Sequence, residues 1–418
     1  MKTKSLVVIG GGAAGFFCAI NAARRQPEWQ VIILEKTQKL LSKVKVSGGG
    51  RCNVTHACFS IAEMVKNYPR GASFVKKSFH QFFTPDTIQW FLERGVHLHT
   101  EPDGRMFPVT NDAQTIIACL VAEANKYQVE IRTHAEVKSL KKESGIFTVE
   151  MQNQVILQAD FVCVACGGFA NAEKFNFLTA LGHHIQMPVP SLFTFNAREK
   201  KITSLMGIVV SQAQVKINGT PLQQRGAILI THWGLSGPAI LKLSAWGARI
   251  LAEKKYDFTI SVNWYPSLNE NTAIEKLQQL RFERAGQKLI NKNPFDLPAR
   301  LWEFLIRESG LDTSIRWADV PAKRQNLLAK NICNYAIVIR GKTTFKEEFV
   351  TAGGIDLSEV DAHTMQSKII PGLYFAGEIL DVDGITGGFN FQHAWTSGWI
   401  AANSMATFNE MKNNGSNN

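Results

Sequence analysis

Residues 47–53, SGGGRCN, set a guanidinium and a thiol, Arg51 and Cys52, directly after three consecutive glycines, Gly48, Gly49 and Gly50. A thiol can hand over a proton, and the charge of a neighbouring guanidinium can steady a developing oxyanion. The stretch 40–56 around them has neither helical nor strand period, so its backbone is kept bare for something other than packing; the plainer alternative is a flexible surface loop. A third group able to move a proton, His232, stands in THWGLSG at 231–237. A lone histidine beside a tryptophan is otherwise a packed residue. No cluster of His, Cys and carboxylates has metal-ligand spacing, and no metal is expected. Cys163 and Cys166 have C-x-x-C spacing but lie in a strand pattern rather than at a helix start, where a dithiol would gain its lowered pKa, and read as packing residues.

The elements that must position these groups announce themselves by their turns. Ser5 to Ile9 is a short apolar run followed by Gly10-Gly11-Gly12-Ala13-Ala14-Gly15 and then the helical pattern FFCAINAARR. Strand, glycine turn and helix together make a dinucleotide-binding fingerprint. Gly10 permits the tight turn, Gly12 lets the backbone approach a pyrophosphate, and Gly15 lets the helix sit close on its strand. The free N–H groups of the helix start, Ala14 among them, face the phosphates. A second buried strand, Val31 to Leu34, ends in Glu35 and Lys36, where a carboxylate accepts hydrogen bonds from the ribose hydroxyls of an adenosine. Residues 160–168, DFVCVACGG, form a buried strand ending in Gly167 and Gly168. Residues 372–402 then run strand, Gly377-Glu378, an acidic loop through Asp383, Gly387-Gly388, and an apolar helix opening at Phe389-Asn390. Two glycine-framed helix starts fit a long, two-ended ligand better than a nicotinamide cofactor alone. With no second GxGxxG and acidic partner, NAD(P)H is expected only as a transient electron donor.

Length and charge set the bounds. The 418 residues carry 45% apolar side chains and no uninterrupted apolar run of 18, so no membrane span is expected. Glycines 10, 11, 12 and 15 punctuate an opening that could otherwise imitate a signal peptide. Seven scattered cysteines suit reduced thiols in a cytoplasm. Of the formal charge of +11, residues 191–340 hold 21 Lys and Arg against 11 Asp and Glu, nearly the whole excess. Such a block is either a solvated surface or the footprint of a polyanion. Within it, MGIVVSQAQVKI, GAILITHW and DFTISVNW read as strands; AIEKLQQLRFERAGQKLI, LPARLWEFLIRESG and AKRQNLLAKNICNYA read as helices. The first of those helices puts Arg281, Arg284 and Lys288 on one flank.

Together GGGAAG, Glu35, SGGGRCN, GRMFP (104–108), the ACGG strand, THWGLSGPAIL (231–241), TAGGI (351–355) and GEILDVDGITGGFNFQ (377–392) resemble the BaiN/RdsA (YhiN-like) family of FAD-dependent oxidoreductases from end to end. ACGG departs from the ATGG of related flavoproteins but keeps both glycines. The resemblance implies an α/β fold with a Rossmann-like FAD-binding domain in two segments, 1–190 and 341–418. A β-barrel-like subdomain at 191–270 and a helical one at 271–340 would be inserted between them. It further implies that Gly48, Gly49 and Gly50 wrap the isoalloxazine ring. Gly377, Glu378 and the loop to Asp383 would hold the ribityl chain, and Gly387, Gly388, Phe389 and Asn390 would present a helix start to the pyrimidine end. Cys52 is then the first candidate proton donor, because it follows the wrap, with Arg51 at its side and His232 second. The implied activity is reduction of the C5=C6 bond of a uridine in large-subunit ribosomal RNA by a cytoplasmic enzyme, expected to be a monomer. The family's other name implies reduction of an enone in a steroid-like small molecule. A non-catalytic FAD-binding sensor would fit the same glycines but leave Cys52 and the basic insert idle. An apolar steroid needs a greasy cleft and RNA needs phosphate contacts, so the charge favours RNA.

Overall fold

β1 (Ser5–Ile9) is apolar after its first residue, the composition of a strand covered on both faces. In the computed structural model, which describes residues 3–343 and 350–415, it is the middle strand of a five-stranded sheet. The order is Leu373–Phe375, Phe161–Val164, β1, β2 (Gln30–Leu34) and Glu130–Arg132, all parallel. The register sets Ile9 between Leu34 and Val164, so three strands end level at the glycine turn. α1 (Ala13–Arg25) follows β1, and the C-terminal helix Phe389–Gly415 packs on it. A Cβ on Gly398 would stand 2.7 Å from the carbonyl oxygen of Ala14, an approach only glycine allows. Phe17 and Trp395 meet in this seam with ring centroids 5.2 Å apart.

The chain divides into two units, Met1–Ser191 with Lys346–Asn418, and Leu192–Phe345. The parallel sheet belongs to the first. So does a small antiparallel sheet of Thr55–His56, Arg105–Pro108 and Leu98–Thr100. The second unit is a closed six-stranded barrel whose inward residues, such as Val215, Ile217, Ile260 and Val262, share one core with three helices, Glu270–Glu283, Ala299–Glu308 and Ala322–Cys333. The α/β class, the Rossmann-type sheet and the barrel are as the sequence led us to expect. One boundary differs: the helical run ends at Cys333, and Tyr335–Thr343 is the sixth strand, closing the barrel between Asp257–Asn263 and Thr194–Ala197. No helix among the described residues is long and apolar enough to cross a membrane.

Candidate cofactor-binding site

The turn after β1 is built by exclusion. Gly10 donates its amide to the Leu34 carbonyl at 2.8 Å, and a Cβ there would lie 2.4 Å from the Ala165 oxygen. A Cβ on Gly15 would stand 1.9 Å from the Gly10 oxygen. Gly12 is the opposite case, since nothing lies within 4 Å of a Cβ built on it. It caps α1 without any side chain covering the helix end, so the first-turn amides open on free space. At the end of β2, Glu35 accepts from the Gly11 amide at 3.0 Å and from the Thr37 amide and hydroxyl at 2.9 and 3.0 Å. Lys36 is exposed, its ammonium 5.7 Å from the Phe169 ring, and Gly167 also faces open space.

α2 (Ser42–Gly50) is helical only to Val46. Its backbone turns extended at Ser47 (ψ 147) and left-handed at Gly48, Gly49 and Gly50 (φ 59, 70 and 87). Gly48 is pressed on the Phe107 ring, whereas Gly49 and Gly50 meet nothing within 4 Å. From here the chain is stitched to the C-terminal segment. Asn53 accepts from the Gly388 amide at 2.9 Å, His56 Nδ1 lies 3.0 Å from the Gly387 oxygen and its ring stacks on Phe389, and the Tyr68 hydroxyl donates to the Phe389 carbonyl at 2.6 Å. A Cβ on Gly377 would touch the Ala14 methyl at 2.8 Å. Next to it, Glu378 accepts from the Thr351 amide at 2.9 Å and from Lys43, on α2, at 2.5 Å. A chain of close approaches thus links the start of α1, Gly377-Glu378, α2, its three glycines and Gly387-Gly388.

The charged candidates are placed less evenly. Arg51 is held from three sides: its Nη1 donates to Glu101 at 2.6 Å, its Nε to the Gly48 carbonyl at 3.3 Å, and its guanidinium lies over the Phe107 ring at 4.1 Å. Glu101 also receives Arg105 at 2.7 Å. Cys52, in left-handed backbone (φ 61), has no exposed surface, and burial pushes its thiol up to about 12 against a weaker pull from Ser47. Asp383 is buried as well. Both its oxygens are engaged by Arg70, and Ser191 donates to it at 2.8 Å, so its carboxylate ties the loop to both. Burial raises its carboxyl pKa while Arg70 pulls the other way. The Asn390 amide is paired with both backbone groups of Gly384, at 2.8 and 2.9 Å. His232 belongs to the other unit, where it is exposed against the Trp233 ring, 4.2 Å between centroids.

Several residues of the site carry no mark that periodicity or turn chemistry could read: Lys43, Asn53, His56 and Glu101. Two more are buried polar atoms without a partner among the described residues, Thr351 Oγ1 and His393 Nδ1. His393 Nε2 donates to the Gly377 carbonyl at 3.3 Å, and burial holds the ring neutral, its pKa lowered to about 4. Buried polar groups are as a rule hydrogen-bonded; Trp29, Thr84, Trp264 and Trp317 also have unpaired atoms, but the two beside Gly377-Glu378, together with bare backbone at Gly12, Gly49, Gly50 and Gly167, fit a long polar ligand such as FAD.

The family model described as "HI0933-like protein Rossmann domain" matches residues 4–404. The ribosomal RNA dihydrouridine synthase of Escherichia coli (strain K12) is 30% identical, over 96% of this chain and 98% of its own. A 3-dehydro-bile acid delta(4,6)-reductase of Clostridium scindens is 28% identical over the same shares of the two chains. Among solved structures, the 3-ketosteroid delta1-dehydrogenase of Sterolibacterium denitrificans, in complex with 1,4-androstadiene-3,17-dione, shares the fold with a TM-score of 0.51 at 14% identity, over 97% of this chain and all of that one. The chain is therefore an oxidoreductase and belongs to the HI0933-like Rossmann-domain family.

Proposed function

We propose that the protein is an FAD-dependent reductase that draws electrons from NAD(P)H and saturates the C5=C6 bond of a uridine in large-subunit ribosomal RNA. The observation that carries the reading is the chain of close approaches joining two glycine-framed helix starts into one cradle. Bound FAD supplies the hydride. The start of α1 would hold its pyrophosphate by the first-turn amides, and Glu35 would take the ribose hydroxyls. Gly49 and Gly50, whose backbone is bare, would hold the ring edge by their amides. As a hydride reaches C6 of the uracil, charge develops on O4, where the guanidinium of Arg51 stabilises it, and a proton completes C5. Two hydrogens are added to the base and NAD(P)H is oxidised.

What favours RNA is the charge of residues 191–340, 21 basic against 11 acidic side chains, together with the likeness to the Escherichia coli synthase. A uracil in folded RNA must leave its stack to be reduced, at a cost of a few kcal/mol that phosphate contacts offset. The test is to delete the gene and map large-subunit RNA by mass for loss of a two-hydrogen increment on one uridine. The likeness to the bile acid reductase supports a second reading, an enone reductase for a steroid-like molecule. It takes over if every dihydrouridine survives the deletion and the reduced enzyme leaves unmodified RNA untouched.

The source of the proton is open to a direct test. With its thiol buried and near 12, Cys52 is a poor donor, and Cys52→Ala is expected to keep single-turnover product formation within about tenfold of wild type. A fall of about 100-fold to 10,000-fold, the span of a lost general acid, would reinstate the thiol as donor.

A further inference from the structure

We infer that Phe282 is a stacking platform for one unpaired base of the RNA, with Lys288, Lys292 and Arg316 gripping the neighbouring phosphates; the inference rests on the RNA reading above. The helix Glu270–Glu283 buries Ala273, Leu277 and Leu280 on its core face. Phe282 lies off that face and is 85% exposed, the most exposed large apolar side chain among the described residues. A single exposed apolar residue is ordinary on a protein surface. The surroundings distinguish this one.

Residues 281–292 carry four basic side chains against Glu283 alone. Two of the four are structural. Arg281 donates to the Ala318 carbonyl at 2.9 and 3.2 Å, and Arg284 to the Lys292 carbonyl at 2.6 Å. These bonds fasten the segments around 292 and 318 to the end of the helix that carries Phe282. Lys288 and Arg316 are then brought side by side as an antiparallel bridge pair. Lys288, Lys292 and Arg316 are exposed, and none has a carboxylate within ion-pair distance among the described residues. The cationic flank expected from sequence is therefore redistributed: Arg281 and Arg284 hold the chain, and the free charges are Lys288, Lys292 and Arg316. An accessible aromatic face on a helix end to which segments bearing unpaired positive charge are tied is the combination that binds single-stranded nucleic acid, the ring taking a base of any sequence and the cations following the backbone. An apolar protein partner has no use for the three cations, and a bare polyanion has none for the ring.

The test uses the full-length, flavin-loaded protein with a fluorescent single-stranded oligouridylate, and inorganic polyphosphate as an anion without bases. Phe282→Ala is expected to weaken oligouridylate binding roughly 5- to 150-fold, the effect of losing one stacked base, and Phe282→Trp to preserve it. Polyphosphate affinity, the salt dependence and the melting temperature should not change with Phe282→Ala. Changing Lys288, Lys292 and Arg316 to Gln should instead flatten the log–log salt dependence, by roughly 0.7 for each phosphate that is no longer neutralised. If the wild type binds oligouridylate and Phe282→Ala binds it equally well, the platform is overturned while the RNA reading stands. If the wild type binds no RNA, both fall. Loss of a concentration-dependent self-association in Phe282→Ala, with RNA affinity intact, would make the ring a docking point for a second copy and overturn the proposal.

Discussion

Gly12→Val is expected to fold as the wild type does and to purify without flavin. No atom stands within 4 Å of a Cβ at Gly12, and its backbone (φ −94, ψ −172) is extended, a conformation valine adopts freely. The ligand-free protein should therefore melt within about 2 °C of wild type, as surface substitutions do. The space a valine side chain fills is the approach to the α1 amides, where the proposed reading puts the pyrophosphate. Affinity for FAD should fall roughly 100-fold or more, corresponding to ~3 kcal/mol of steric overlap. Gly15→Val makes the control, because its Cβ would press on the Gly10 carbonyl at 1.9 Å and should cost stability and flavin together. Flavin titration beside thermal melting separates the two. Undiminished FAD affinity in Gly12→Val would mean that the cofactor does not lie across this helix start.

Arg51→Ala should leave flavin content and the rate of flavin reduction by NAD(P)H unchanged, while product formation from pre-reduced enzyme falls about 100- to 1,000-fold, the usual effect of removing one oxyanion donor. The guanidinium is preorganised. Glu101, the Gly48 carbonyl and the Phe107 ring hold the guanidinium beside the glycine turn, so its charge needs no rearrangement when the substrate becomes anionic. Arg51→Lys keeps the charge but cannot bond Glu101 and Gly48 at once, and should recover only part of the loss. Glu101→Gln should act in the same direction more weakly, by loosening Arg51 and Arg105 together. Single-turnover mixing of reduced enzyme with a uridine-containing RNA reads all three. Wild-type rates in Arg51→Ala would remove the guanidinium from the chemistry.

What the sequence makes legible is whatever is local. The turn from β1 into α1 is specified by glycines whose neighbours in space are neighbours in sequence, and Glu35 follows β2 directly, so both can be read from the chain alone. The short helix before Gly48 cannot: five helical residues leave too few turns to show a period, and the left-handed Leu41 that starts it carries no sequence mark. Asp383 has the look of a ligand-facing acid in an acidic loop. Its partner, Arg70, lies more than 300 positions away, and no spacing rule reaches that far. The burial of Cys52 is hidden for a related reason, since adjacency to a glycine turn does not say which way a side chain points once its own φ is positive. The barrel's individual strands alternate visibly, but its closing strand arrives after three helices, and pairing partners are a property of the whole topology.

The seam between α1 and the C-terminal helix has a consequence for how the protein is made. α1 leaves the ribosome long before the helix that covers it, with Trp395 against Phe17. At roughly 5 to 20 residues per second, about 20 to 80 seconds separate the two. Until that helix is made the buried face of α1 stays uncovered, whereas Leu192–Phe345, contiguous in sequence, is complete before Leu373–Phe375 and the helix emerge. The cofactor cradle is thus a late product of translation, and a nascent chain that stalls before residue 389 exposes apolar surface to chaperones instead of acquiring its cofactor.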